Sequence, residues 1–144
     1  MRKFFYPVHT EFTAISWTSL ILRIIFGSSM VIGHGWRKFL LITGGEPIKF
    51  ADPIGLGETT SLYLTVFAEV ACSILIVIGL FTRGAVIPLL ITMLVALLVI
   101  HISDPFAKQE MALMYAAVYL SIFLLGPGKY SLDNYLFRTK RQPA

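Results

Sequence analysis

Four apolar runs, each near the length a helix needs to cross a lipid bilayer, leave this chain almost no room for anything else. A hydrocarbon core roughly 30 Å thick takes about 20 residues of helix. The runs cover about residues 14–36, 62–81, 84–103 and 110–126. Only 14% of the 144 residues are charged, and the mean hydropathy is +0.77, far outside the soluble globular range. The expected fold is therefore all-α: an integral membrane four-helix bundle occupying one domain, 1–144, with the lipid bilayer as its first partner.

Between the first two runs lies TGGEPIKFADPIGLGETTS, rich in Gly, Pro and acids, which cannot continue a helix and predicts an exposed loop. The other links are short: Thr82-Arg83 joins the second and third runs, and Asp104 to Gln109 the third and fourth. Short links favour antiparallel neighbours and hence an up-down-up-down bundle. Pro88 is expected in the first turn of the third helix, where a missing N–H costs little.

Four crossings place both termini on one side. Arg2, Lys3, Arg83, Lys129, Arg138, Lys140 and Arg141 fall there, against Arg37, Lys38, Lys49 and Lys108 on the other. The excess of basic residues predicts cytoplasmic termini. The net charge of +4 sits at helix ends and in the tail rather than on one patch, so no nucleic-acid partner is expected. MRKFFYPVHTEFTA lacks an apolar stretch followed by a small-residue cleavage site and is not read as a signal peptide. Cys72 is the only cysteine, which excludes an intrachain disulfide and a cysteine-based metal site.

Ionisable groups inside a bilayer cost at least ~2.5–3.5 kcal/mol each and usually face the bundle interior. Arg23 and Glu69 are the two that stand out. They admit two readings: a structural ion pair that fixes helix register, or a functional pair. Ser16, Ser19, Arg23, Gly27, Met30 and His34 recur at steps of three and four on the first helix, and Thr65, Glu69, Cys72 and Ser73 form a shorter stripe on the second. These faces are expected to meet.

His34 and His101 end the two helices that run the same way, and Glu110 opens the fourth on that side. The expected candidate site is a polar pocket or proton relay of Arg23, His34, Glu69, His101 and Glu110 near one mouth of the bundle. The plainer alternative is a capping or snorkelling His34 and a solvated His101 and Glu110. The spacing matches no tight ligand motif, so no metal is expected. Trp17, Trp36, Tyr6 and Tyr130 read as interfacial anchors. No phosphate loop, nucleophile elbow or haem-attachment sequence is present, which argues against an autonomous hydrolase or kinase.

Several of these residues resemble the DoxX family of small bacterial membrane proteins, over most of the chain. The resembling pieces are Arg23 with Gly27, His34-Gly35-Trp36 followed by Lys38, and Glu69. They continue with Gly79-Leu80-Phe81-Thr82-Arg83, His101, and Gly126-Pro127-Gly128 followed by Ser131-Leu132-Asp133. Ala71-Cys72-Ser73 stands where family members often carry glycines. The resemblance implies a four-helix protein of the bacterial inner membrane; some members are linked to quinone-reducing sulfur oxidation and others to membrane oxidoreductase complexes that handle oxidative stress. It therefore implies a quinone as ligand and a soluble or membrane redox partner as electron source, because the sequence shows no redox centre of its own. The alternative is a non-enzymatic membrane scaffold or a small proton-coupled transporter.

Overall fold

The computed structural model describes residues 13–45 and 47–137. Tyr6, Glu46 and the basic residues Arg2, Lys3, Arg138, Lys140 and Arg141 lie outside the described residues. Among the described residues there is no strand. Four helices are long and apolar enough to cross a membrane: α1 Thr13–Thr43, α2 Glu58–Ile78, α3 Thr82–Ile100 and α4 Phe106–Leu125. A short helix, α5, follows at Leu132–Phe137.

The helices depart from the expected boundaries for local reasons. α1 runs past 36 because no helix breaker occurs before Gly44-Gly45. At 1.5 Å per residue it spans about 46 Å, so its last turns stand beyond a ~30 Å hydrocarbon core and Arg37 and Lys38 are tolerated there. α2 starts at Glu58, after Gly57 at φ 91° turns the chain, and its polar first turn belongs to the membrane edge. α4 starts at Phe106, directly after Pro105. α3 starts at Thr82 rather than 84 because Asp133 caps it: the N–H groups of Phe81 and Thr82 donate to its two carboxylate oxygens at 2.7 and 2.9 Å. That start places Pro88 inside the helix rather than in its first turn, so the chain forgoes one backbone hydrogen bond.

α1 and α3 each pack against α2 and α4, closing a four-membered ring of antiparallel neighbours. Glycines set the α1–α2 spacing. A Cβ on Gly27 would lie 2.7 Å from Val77 Cγ2, and one on Gly35 would lie 2.7 Å from Val70 Cγ2 and 3.1 Å from the Glu69 carbonyl. Small residues thus let the backbones approach, the usual basis of helix association in lipid. Met30, Cys72, Ile76, Val86, Leu89, Tyr119 and Ile122 fill the interior. Ile24, Ile25, Leu94, Leu98, Leu120 and Leu124 lie exposed on the outside, an apolar surface that suits acyl chains.

Candidate functional site

Three of the four long helices widen into a π-helical turn, at Val31–Gly35 in α1, Phe67–Cys72 in α2 and Ala96–Ile100 in α3. The i→i+5 bonds are explicit: Trp36 N–H donates to the Val31 carbonyl, and His101 N–H to the Ala96 carbonyl at 2.9 Å. A π turn inserts one residue, re-phasing the side chains beyond it by about 100°. His34 and Glu69 lie within two of these turns, and His101 follows the third.

The re-phasing brings two helices together at Glu69. Beyond Met30 the buried stripe of α1 steps five residues to Gly35, not four to His34. Gly35 then lies against the Glu69 backbone, and Lys38, one turn further, forms an ion pair with Glu69 Oε1. The Glu69 side chain is 2% exposed and that of Lys38 27%. The second carboxylate oxygen, Oε2, is buried with no hydrogen-bond partner among the described residues. Such an orphaned buried acceptor costs about 1–3 kcal/mol, more for a charged group.

Glu69, Lys38, His34 and His101 border a cavity of about 420 Å³, within the size range of small-molecule sites. Leu64, Ile91, Met93 and Ile100 give it apolar walls, and Phe50, Ala51, Pro53 and Ile54 of the long loop also line it. Asp52 fastens that loop, accepting from Leu56 N–H (2.9 Å), Gly57 N–H (2.8 Å) and the Ser61 hydroxyl (2.7 Å). The Ser61 hydroxyl first, and the Gly57 N–H next, hold the Asp52 carboxyl below the ordinary carboxylate range.

The histidines are positioned differently. His34 is half-buried and packs edge-on against Tyr115 of α4, ring centres 5.5 Å apart. His101 Nδ1 lies 2.7 Å from Asp104 Oδ2, which leaves Nε2 as the ring nitrogen available to a ligand. The hydrogen bond from His101 is the main cause holding the Asp104 carboxyl below its ordinary range. Lys38 and Lys108 also line the cavity, and Asp104 adjoins it through His101; none of the three was singled out as a site residue from the sequence. The signal for Lys38 was its place one helical turn after His34.

Two of the five expected site residues lie elsewhere. Arg23 does not meet Glu69. Gly27 opposes Val77 and Gly35 opposes Glu69, so the α1–α2 register puts Arg23 twelve residues, about 18 Å, along the axis from Glu69. Arg23 is fully buried at the other end of the bundle, donating Nη1 to the Ile76 carbonyl at 3.4 Å and Nη2 to the Tyr130 carbonyl. It thus serves the carbonyl end of α2, while Asp133 serves the amide end of α3. Both charges complement the helix dipoles at the α2–α3 turn. That turn carries Gly79 at φ 72° and Phe81 at φ 48°, and a Cβ on Gly79 would collide with the Arg23 guanidinium. Gly128, at φ 72°, lies against the Ser16 backbone, and the Ser19 hydroxyl donates to the Gly126 carbonyl at 2.6 Å. The segment after α4 therefore braces this end, with the Trp17 and Tyr130 rings in tilted contact, centres 4.6 Å apart. Glu110 is exposed on α4 and borders a separate groove outside the cavity.

Comparison with known proteins agrees with this architecture. The sequence model of the DoxX family matches residues 18–102, a stretch that includes Arg23, His34, Lys38, Glu69 and His101. An uncharacterised protein of Haemophilus influenzae is 33% identical over 124 residues, covering 81% of this chain and 89% of that protein. No solved structure matches the chain. With four apolar helices, and with the family's stretch holding His34, Lys38, Glu69 and His101 of the cavity wall, the chain is a membrane protein that belongs to the DoxX family.

Proposed function

We propose that this protein is the membrane subunit of a quinone-linked oxidoreductase system, and that the cavity at Glu69 receives the quinone head group. One observation carries the reading: a fully buried carboxylate holds Lys38 with one oxygen, and its other oxygen, without a hydrogen-bond partner among the described residues, belongs to a residue lining an apolar-walled cavity. A quinone head offers a flat apolar ring with two carbonyl acceptors, and its reduced form offers two hydroxyl donors. Lys38 supplies a charged donor for a carbonyl and Glu69 Oε2 an acceptor for a hydroxyl. His101, backed by Asp104 at the water-facing end, is placed to exchange a proton with solvent. Electrons come from a partner protein, and reduction of a quinone takes two of them with two protons.

The basic residues flanking the helices favour cytoplasmic termini in a bacterial inner membrane, which sets the cavity toward the outer face. Towards the other end the bundle interior is filled by Met30, Cys72, Ile76 and Tyr119. That packing favours a binding site over a conduction path. The test is thermal unfolding of purified protein in detergent with a tail-less benzoquinone. Saturating ligand raises the stability of the wild type, by about 2.7 kcal/mol at a hundredfold excess over Kd, and Glu69→Gln, folded, loses the response. A wild type indifferent to the quinone refutes the proposal.

A further inference from the structure

A second hollow lies on the outside of the bundle, between α1 and α4. It has a volume of about 410 Å³ and is bordered by Phe26, Ser29, Ala107, Glu110, Met111 and Met114, with Tyr115 at its inner edge. Ser29, Ala107, Glu110, Met111 and Met114 are all exposed, so the groove opens sideways toward lipid. Met111 also borders the inner cavity, and Tyr115 holds the edge of the His34 ring. Groove and cavity are thus separated by about one side chain. Methionine is unbranched, with three rotatable bonds, and adapts its shape at little cost.

We infer that this groove holds the apolar chain of the ligand whose head lies in the cavity, with Met111 as the displaceable partition between them. The inference rests on the head-group reading above and adds that the ligand is an amphiphile reached from within the membrane. Phe50, Ala51, Pro53 and Ile54 of the loop fastened by Asp52 line the cavity on the loop side, while the Met111 side adjoins the groove and gives a molecule dissolved in the bilayer a route to it. An apolar chain gains little hydrophobic energy by leaving lipid for protein. The groove therefore orients the chain and admits the head rather than supplying affinity.

The experiment is photolabelling of the full chain in nanodiscs with an isoprenoid quinone carrying a diazirine on its chain, adducts being located by mass spectrometry. Adducts concentrated at Phe26, Met111 and Met114 support the inference. Adducts spread evenly over outward residues such as Ile24, Leu120 and Leu124 overturn it. Ala107→Phe and Met114→Trp, which fill the groove without touching the cavity, are each expected to remove the Met111 adduct while a tail-less benzoquinone still stabilises the protein. Persistence of that adduct in a folded variant overturns the inference. Adducts that stay at Met111 in the presence of excess tail-less benzoquinone, in a protein whose unfolding that quinone does not shift, leave the chain groove standing and refute the head-group reading alone.

Discussion

Replacing Lys38 by Met removes the cation that pairs, among the described residues, with a carboxylate that is 2% exposed. Losing one partner of a buried pair costs about 3–5 kcal/mol, because the remaining charge stays out of water. The direct attraction is about 4 kcal/mol for unit charges 4 Å apart at an effective dielectric of about 20. Lys38 keeps 27% of its side chain exposed, so water screens part of this, and a coupling of about 2–3 kcal/mol is expected. The assay is a double-mutant cycle in detergent micelles, with unfolding free energies for wild type, Lys38→Met, Glu69→Gln and the double variant. Each single variant loses about 3 kcal/mol, and the double loses less than their sum by the coupling energy. A second cycle replaces Lys38→Met with Arg23→Met. Since Arg23 lies about 18 Å from Glu69 along the bundle, that cycle is additive to within about 0.5 kcal/mol. Additivity in the first cycle, or strong coupling in the second, refutes the helix register described above.

Gly35→Ala places a methyl against Val70 and the Glu69 backbone; it is expected to cost about 1–3 kcal/mol by overpacking and to abolish the quinone-induced thermal shift, whereas Gly33→Ala, which meets no atom within 4 Å, leaves both unchanged. Asp133→Ala removes the cap of α3 and is expected to lower unfolding stability by about 0.5–2 kcal/mol, with faster hydrogen exchange confined to the Phe81 and Thr82 amides. Acid is expected to release the loop over the cavity. The Asp52 carboxyl is held below its ordinary range when folded, so its contribution is fully present above its unfolded value of about 3.9 and is lost as pH falls through the lower folded value. Limited proteolysis of residues 50–57 should accelerate in that window, and Asp52→Asn should cleave readily at neutral pH as well.

The sequence reveals the four helices because a bilayer enforces long apolar runs, and it reveals the α1 stripe through Met30 because Ser16, Ser19, Arg23, Gly27 and Met30 keep helical spacing and are all buried. The reading slips at His34, where the π turn at Val31–Gly35 adds a residue and hands the buried position to Gly35. No periodicity in VIGHG announces that turn. The same slip explains why Arg23, rather than Lys38, looked like the partner of Glu69: without a register, the two buried charges of opposite sign are the natural pair. Glu69, His34 and His101 were found by the cost of polar groups in oil, and they do share a cavity. Asp104 went unsingled because a loop acid is ordinary until His101 is seen beside it. Asp133 was visible only as part of a family resemblance. Its capping role spans 51 and 52 residues of sequence, beyond the reach of local pattern.

The most direct measurement is a structure of the protein in lipid nanodiscs with an isoprenoid quinone added. Ring density is expected between His34, Glu69 and His101, within hydrogen-bond distance of Glu69 Oε2 or Lys38 Nζ, with the isoprenoid chain leaving past Met111. A quinone found elsewhere on the bundle while that space is filled by repacked protein side chains, or a Glu69 carboxylate turned toward acyl chains, would contradict the proposed site.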